Sequence, residues 1–72
     1  MRDIKGKRRQ IYVYIVDFLN EHGYPPTIRE IKAHIGVKST STVEYHLRKL
    51  KESGLISQED GKARSITVTG LV

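Results

Sequence analysis

Few side chains in this sequence are able to do chemistry, and their spacing narrows what that chemistry can be. His22, His34 and His46 stand 12 residues apart, whereas paired histidine ligands typically sit about three to five apart. With no cysteine to add to them, no metal site or other cofactor is expected. Serine, histidine and aspartate all occur, but no glycine-rich nucleophile elbow presents a serine, so the chain is expected not to be an enzyme. What remains is a run of hydrogen-bonding side chains, Ser41, Thr42, Glu44, Tyr45 and Arg48, set around the apolar residues Val43, Leu47 and Leu50. Apolar spacings of four and three bury one face of a helix, which turns the polar set outward. That face suits a DNA major groove: hydroxyls bond several base edges, a carboxylate accepts from cytosine N4, and a methyl or ring meets the thymine methyl. A plain solvated surface is the competing reading, although a face shaped only for solubility would carry more Glu–Lys pairs. For Tyr45 the alternative is an aromatic ring lying along its own helix.

The whole chain must supply the scaffold for that face, and it is short. Its 72 residues make one domain, and 38% apolar content with 29% charged content is a globular balance. The net charge is +5, with 13 Lys and Arg against 8 Asp and Glu, a sign that favours a polyanionic partner. Arg2, Lys5, Lys7, Arg8 and Arg9, opposed by Asp3 alone, concentrate this charge at the N-terminus. Such an arm either frays in solvent or contacts phosphate. Ile11–Val16 is the longest apolar run, far below the roughly 20 residues of a membrane span, and the N-terminus lacks the apolar stretch of a signal peptide. With no disulfide possible, a cytoplasmic setting is expected.

Three helices and a hairpin are expected to position the polar face. Ile11, Tyr14, Ile15, Phe18 and Leu19 give a helical stripe over 8–22 that Gly23 stops. The alternation of Ile11, Val13 and Ile15 would also suit a strand, but a strand rarely runs so far and the alternation ends at Asp17. Tyr24-Pro25-Pro26 is a rigid connector. Thr27 and Glu30 form a capping box for a second helix over 28–35, with Ile28, Ile31 and Ile35 inward and Gly36 at the turn. A third helix over 41–53 has Ser39 or Ser41 as its cap, Ser41 and Glu44 making a second capping box. In a shorter helix-turn-helix the buried positions after Gly36 would fall at Thr42 and Tyr45; here they fall at Val43 and Leu47, so the turn is longer and Thr42 and Tyr45 move outward. Leu55–Gln58 and Arg64–Val68 read as strands of a hairpin over 55–69, turned at Asp60-Gly61. Tyr12, Tyr14 and Tyr24 are expected in the core or as staples, and His46 as a half-buried helix residue. The fold class is mainly α with a small β-hairpin, a three-helix winged helix-turn-helix.

At this point the chain resembles the N-terminal DNA-binding domain of the LexA repressors. The residues carrying the likeness are Gly23 to Ile31 (GYPPTIREI), Ser39 to Leu47 (STSTVEYHL), Ser53 to Ile56 (SGLI) and Arg64 to Ile66 (RSI). The Ser-Thr-Ser-Thr-Val stretch is more similar to the Gram-positive branch of that family. The resemblance implies a bacterial, nucleoid-associated repressor of DNA-damage (SOS) genes, with the third helix in the major groove and the wing on the backbone or minor groove. It implies Ser39, Ser41, Thr42, Glu44 and Tyr45 as base-facing residues supported by Arg48, with Thr27, Arg29, Lys62 and Arg64 toward the backbone. The partner it implies is a palindromic double-stranded operator, bound by a homodimer in the full-length protein and weakly by an isolated, monomeric domain. A full-length member also carries a C-terminal self-cleaving Ser/Lys protease domain, which this sequence does not encode. Lys5 replaces the usual hydroxyl cap of the first helix, and Arg8 or Arg9 the usual glutamine, so a cationic first turn opposes the helix dipole. A winged helix used for protein interaction, or one that reads nucleic acid by shape alone, is the rival reading. The first should expose an apolar patch, and the second should show little sequence preference.

Overall fold

Helix ends written into the sequence set the course of the backbone. In the computed structural model, which describes residues 5–59 and 61–69, α1 spans Gly6–His22, α2 Ile28–Ile35 and α3 Thr40–Glu52. Gly23 and Gly36 stop the first two helices with left-handed φ of 81° and 85°, each returning its N–H to the carbonyl four residues back, Leu19 and Lys32. That conformation costs glycine nothing and any other residue strain. The Thr27–Glu30 capping box is fully formed: the Thr27 N–H donates to Glu30 Oε1 at 2.8 Å and the Glu30 N–H to Thr27 Oγ1 at 3.2 Å.

Two expectations about helix starts need correction. The first helix begins at Gly6 rather than residue 8, with Lys5 at the N-cap. The third begins at Thr40 because Ser39 is the cap, its hydroxyl accepting the Ser41 N–H at 3.1 Å. Ser41 therefore lies inside the first turn and the Ser41–Glu44 capping box does not form. With the Ser39 hydroxyl taking the Ser41 amide, the Ser41 hydroxyl is left on the helix surface.

The core is one cluster drawn from all three helices and the hairpin region. Ile11, Tyr12 and Ile15 of α1, Ile31 of α2, and Val43, Leu47 and Leu50 of α3 close on Leu55, Ile56 and Ile66, all buried. With α3 packed against α1, α2 and the hairpin, its inner face is fixed, and so is its outer one. Burial at roughly 1.5–3 kcal/mol for each large aliphatic side chain is what holds a chain this short together without disulfides.

The hairpin is present but its ladder is short. Strands β1 (Ile56–Ser57) and β2 (Thr67–Val68) run antiparallel in the register Ile56 to Val68 and Ser57 to Thr67, and the Thr69 N–H extends the pairing to the Leu55 carbonyl at 3.0 Å. The second strand expected from Arg64 starts only at Thr67, because Arg64 has a φ of 53° and turns the chain out of the extended region. The Ser65 hydroxyl bonds the Glu59 and Lys62 carbonyls at 3.0 and 2.9 Å, tying the wing loop across its base. Gly61, with a φ of 76°, suits the expected turn; its partner Asp60, like Arg2 of the basic arm, lies outside the described residues.

Candidate nucleic-acid interface

Because α3 is anchored at Val43, Leu47 and Leu50, its helical geometry decides where every polar side chain stands. Each residue turns about 100° from the last, so Thr42 and Glu44 flank Val43 on opposite sides, while Ser41, Tyr45 and Arg48 project away from the core. An open groove forms where this outer face meets the start of α2 and the wing. Ser41, Glu44, Tyr45 and Arg48 line it from α3, Thr27 and Arg29 from the α2 side, and Lys62 and Arg64 from the wing. Eight of the ten sequence-derived candidates thus share one surface.

The other two stand elsewhere. Ser39 does not line the groove, and its hydroxyl is engaged by the Ser41 amide. Thr42 is half-buried rather than fully outward, since it flanks the core on the side away from Glu44. Lys51 and Gln58, which the sequence did not single out, also line the groove. Lys51 lies one residue past the buried Leu50, on the flank that also carries Glu44, and helical spacing could have found it.

Positive charge gathers around Tyr45, from the groove and from beside it. Tyr45 is 45% exposed, and the Arg48, Lys49 and Arg8 cations stand 5.6, 5.7 and 5.9 Å from its ring centroid. Cations at this range are attracted by the ring face, and because Arg8 belongs to α1, the first turn of α1 extends the basic surface beyond α3. Lys62 pairs with Glu59 at 3.2 Å, but both side chains are about two-thirds exposed (69% and 67%). Such a pair contributes little and yields readily to a phosphate.

Arg64 is differently employed. Its guanidinium grips Glu30 through two parallel bonds, Nη1 to Oε1 at 2.9 Å and Nη2 to Oε2 at 3.0 Å, and Nη1 also donates to the Pro25 carbonyl at 3.1 Å. The same group lies 4.7 Å from the Tyr24 ring centroid and 5.9 Å from that of Phe18. Tyr24, expected in the core or as a staple, is not core: it is 46% exposed, packs edge-on to Phe18 at 5.8 Å and serves as a platform for the arginine. The Arg64 guanidinium in turn holds the Glu30 carboxyl below the usual carboxylate range, helped by the Thr27 amide.

Each histidine has an aromatic neighbour: His34 stacks on Tyr14 at 4.1 Å, His22 lies 4.2 Å from Phe18, and His46 meets Tyr45 edge-on at 5.3 Å. His46 is half-buried, as its position beside the core stripe predicts. Among the described residues no group of three His, Cys, Asp or Glu is placed to hold a metal ion, and no helix is long and apolar enough to cross a membrane.

Comparison with known proteins agrees with this geometry. Residues 1–65 match the LexA DNA binding domain family. The chain is 41% identical over 68 residues to a LexA repressor of Desulfatibacillum aliphaticivorans, covering 94% of this chain and 34% of that protein. It is 42% identical over 66 residues to one of Sorangium cellulosum, covering 92% and 29%. A crystal structure of a possible transcriptional regulator, YydK from Bacillus subtilis, superposes with a TM-score of 0.63 at 27% identity, covering 94% of this chain and 31% of that one. The chain spans about a third of the length of these proteins. With a buried three-helix core, a hairpin wing and a matched segment of 65 residues, the chain belongs to the LexA DNA-binding domain family.

Proposed function

We propose that this chain is the operator-recognition domain of a bacterial transcriptional repressor of the SOS type, acting on double-stranded DNA in the cytoplasm. The observation that carries the reading is the single groove in which the outer face of α3, the first turn of α2 and the wing meet. Laid along a duplex, this arrangement presents Ser41, Glu44 and Tyr45 to base edges in the major groove, with Arg48 and, more peripherally, Ser39 and Thr42 beside them. Arg29, Lys62 and the α2 start at Thr27 then stand toward the sugar-phosphate backbone, where positive charge and helix amides position a protein without reading sequence. In the longer form that the relatives take, dimerisation on a palindromic operator and the self-cleaving Ser/Lys domain fall to the remainder of the protein. The isolated chain is then a monomer that binds one half-site weakly, since linking two half-sites raises affinity by roughly 10² to 10⁴.

The test is selection from a random duplex library with the 72-residue chain, followed by titration of the enriched site and of its reverse-palindromic duplication. Enrichment of one half-site motif supports the reading. Binding without preference would replace it by recognition of shape, and absence of duplex binding would favour a protein partner.

A further inference from the structure

Among the described residues the wing is held within itself by a short ladder and by the Ser65 hydroxyl across its base. Its two strands contribute only two residue pairs, and the tip that carries Lys62 lies beyond them. Arg64, next to that tip, takes a left-handed φ of 53°, a conformation that costs a non-glycine residue and persists only when its surroundings demand it. The demand is visible. The turned backbone aims the guanidinium across the groove at Glu30 and the Pro25 carbonyl, with Tyr24 beneath it. Glu30 Oε1 meanwhile accepts the Thr27 N–H, so a single carboxylate closes the α2 cap and grips the wing. A bidentate arginine–carboxylate pair fixes orientation as well as distance, which a lysine cannot reproduce.

We propose that Glu30 and Arg64 form a wing latch, a pair of positioning residues that sets where Lys62 stands relative to α3 and thereby tunes DNA affinity without contacting DNA. This rests on the DNA-binding reading above. It differs from the role that the resemblance implies for Arg64, because a guanidinium already committed to Glu30, Pro25 and Tyr24 is not the donor a phosphate meets first.

The experiment compares the unaltered chain with Glu30→Gln, Arg64→Gln and the double variant. Glu30→Gln keeps a side-chain oxygen for the Thr27 amide, and circular dichroism checks that each variant folds. The latch predicts that each single substitution weakens binding to the selected duplex by roughly threefold to tenfold, that the double variant is no weaker than the weaker single, and that the slope of log K against log salt is unchanged. In DNA-free protein, nitrogen-15 relaxation should show increased motion at Gly61–Ser65 in every variant. If Arg64 instead touches phosphate, Arg64→Gln lowers the salt slope by about one while Glu30→Gln, by releasing the arginine, tightens binding; that pattern overturns the latch. So do additive losses, or a wing whose motion is unchanged. Failure of the unaltered chain to bind any duplex would defeat the DNA reading, and with it the effect on affinity. Even then, unchanged wing motion in Glu30→Gln would show separately that the pair holds nothing.

Discussion

Arg8 on α1 donates its Nε–H to Nδ1 of His46 on α3 at 3.4 Å. An acceptor Nδ1 requires a neutral imidazole, so this contact between helices exists only while His46 is unprotonated. Burial disfavours the cation first, and the nearby Arg8 and Lys7 charges disfavour it further, which holds the His46 pKa below its ordinary 6.5. The folded state therefore binds fewer protons than the unfolded chain as pH falls through that region. His46 thus contributes stability that is present above the unfolded pKa and lost as pH drops through the folded one. Melting temperature should fall as pH drops below about 6.5, and His46→Gln should flatten that part of the profile. An unchanged fall in the variant would assign the effect to other groups.

The capping box gives a second handle. Thr27→Ala removes the hydroxyl that accepts the Glu30 N–H and should destabilise the fold by about 1 kcal/mol. For a domain of this size that lowers the melting temperature by roughly 4–8 °C. DNA affinity should drop as well, through a tilt of α2 and with it Arg29. Equal urea midpoints for the two proteins would show that the helix start does not depend on this bond.

Glu30 extends the same argument to acid. Its bidentate pair with Arg64 needs the carboxylate, the Thr27 amide bonds the charged form more strongly than the neutral one, and its pKa lies below the ordinary 4.5 for these reasons. A carboxyl whose folded pKa is depressed stabilises above its unfolded pKa, and the contribution disappears as pH falls through the folded value. Urea unfolding at pH 7 and pH 3 should therefore show a smaller loss at low pH for Glu30→Gln than for the unaltered chain. If both lose the same amount, Glu30 is not among the groups that set acid stability.

These relationships differ in how far the sequence discloses them. Thr27 and Glu30 sit three residues apart, Gly23 and Gly36 follow apolar stripes, and Val43, Leu47 and Leu50 repeat at helical spacing, so local rules find them. The outer face of α3, and hence most of the groove, follows from the same periodicity. Arg64 and Glu30 lie 34 residues apart, and no local pattern joins them. Alternation at Ile66 and Val68 reads as a strand back to Arg64, but it cannot register that Arg64 leaves the extended region to reach another element. Tyr24 reads as core or staple by type, whereas its neighbour Arg64 is supplied only by the tertiary fold. The choice between Ser39 and Ser41 as cap turns on which hydroxyl meets the first free amide, a matter of one residue of backbone geometry that composition does not record.

The division of labour between α3 and the wing yields the sharpest test. Ser41, Glu44 and Tyr45 stand on the side of α3 that lines the groove, and they are joined to the fold through a helix whose inner face is buried. Replacing any of them by alanine should change which base is preferred, with losses of about 1–3 kcal/mol at the selected site. Lys62 sits on the wing, paired with the exposed Glu59. Neutralising it should weaken binding to all duplexes alike and reduce the slope of log K against log salt by about one. Glu59→Gln should do the reverse and tighten binding across sequences, since it frees Lys62 for phosphate. Site selection on each variant, together with salt titration, checks all three expectations. Should Lys62→Ala redirect the preferred sequence while Glu44→Ala and Tyr45→Ala weaken binding uniformly, the wing would be the reader and α3 only the dock, and the roles assigned to them would have to be exchanged.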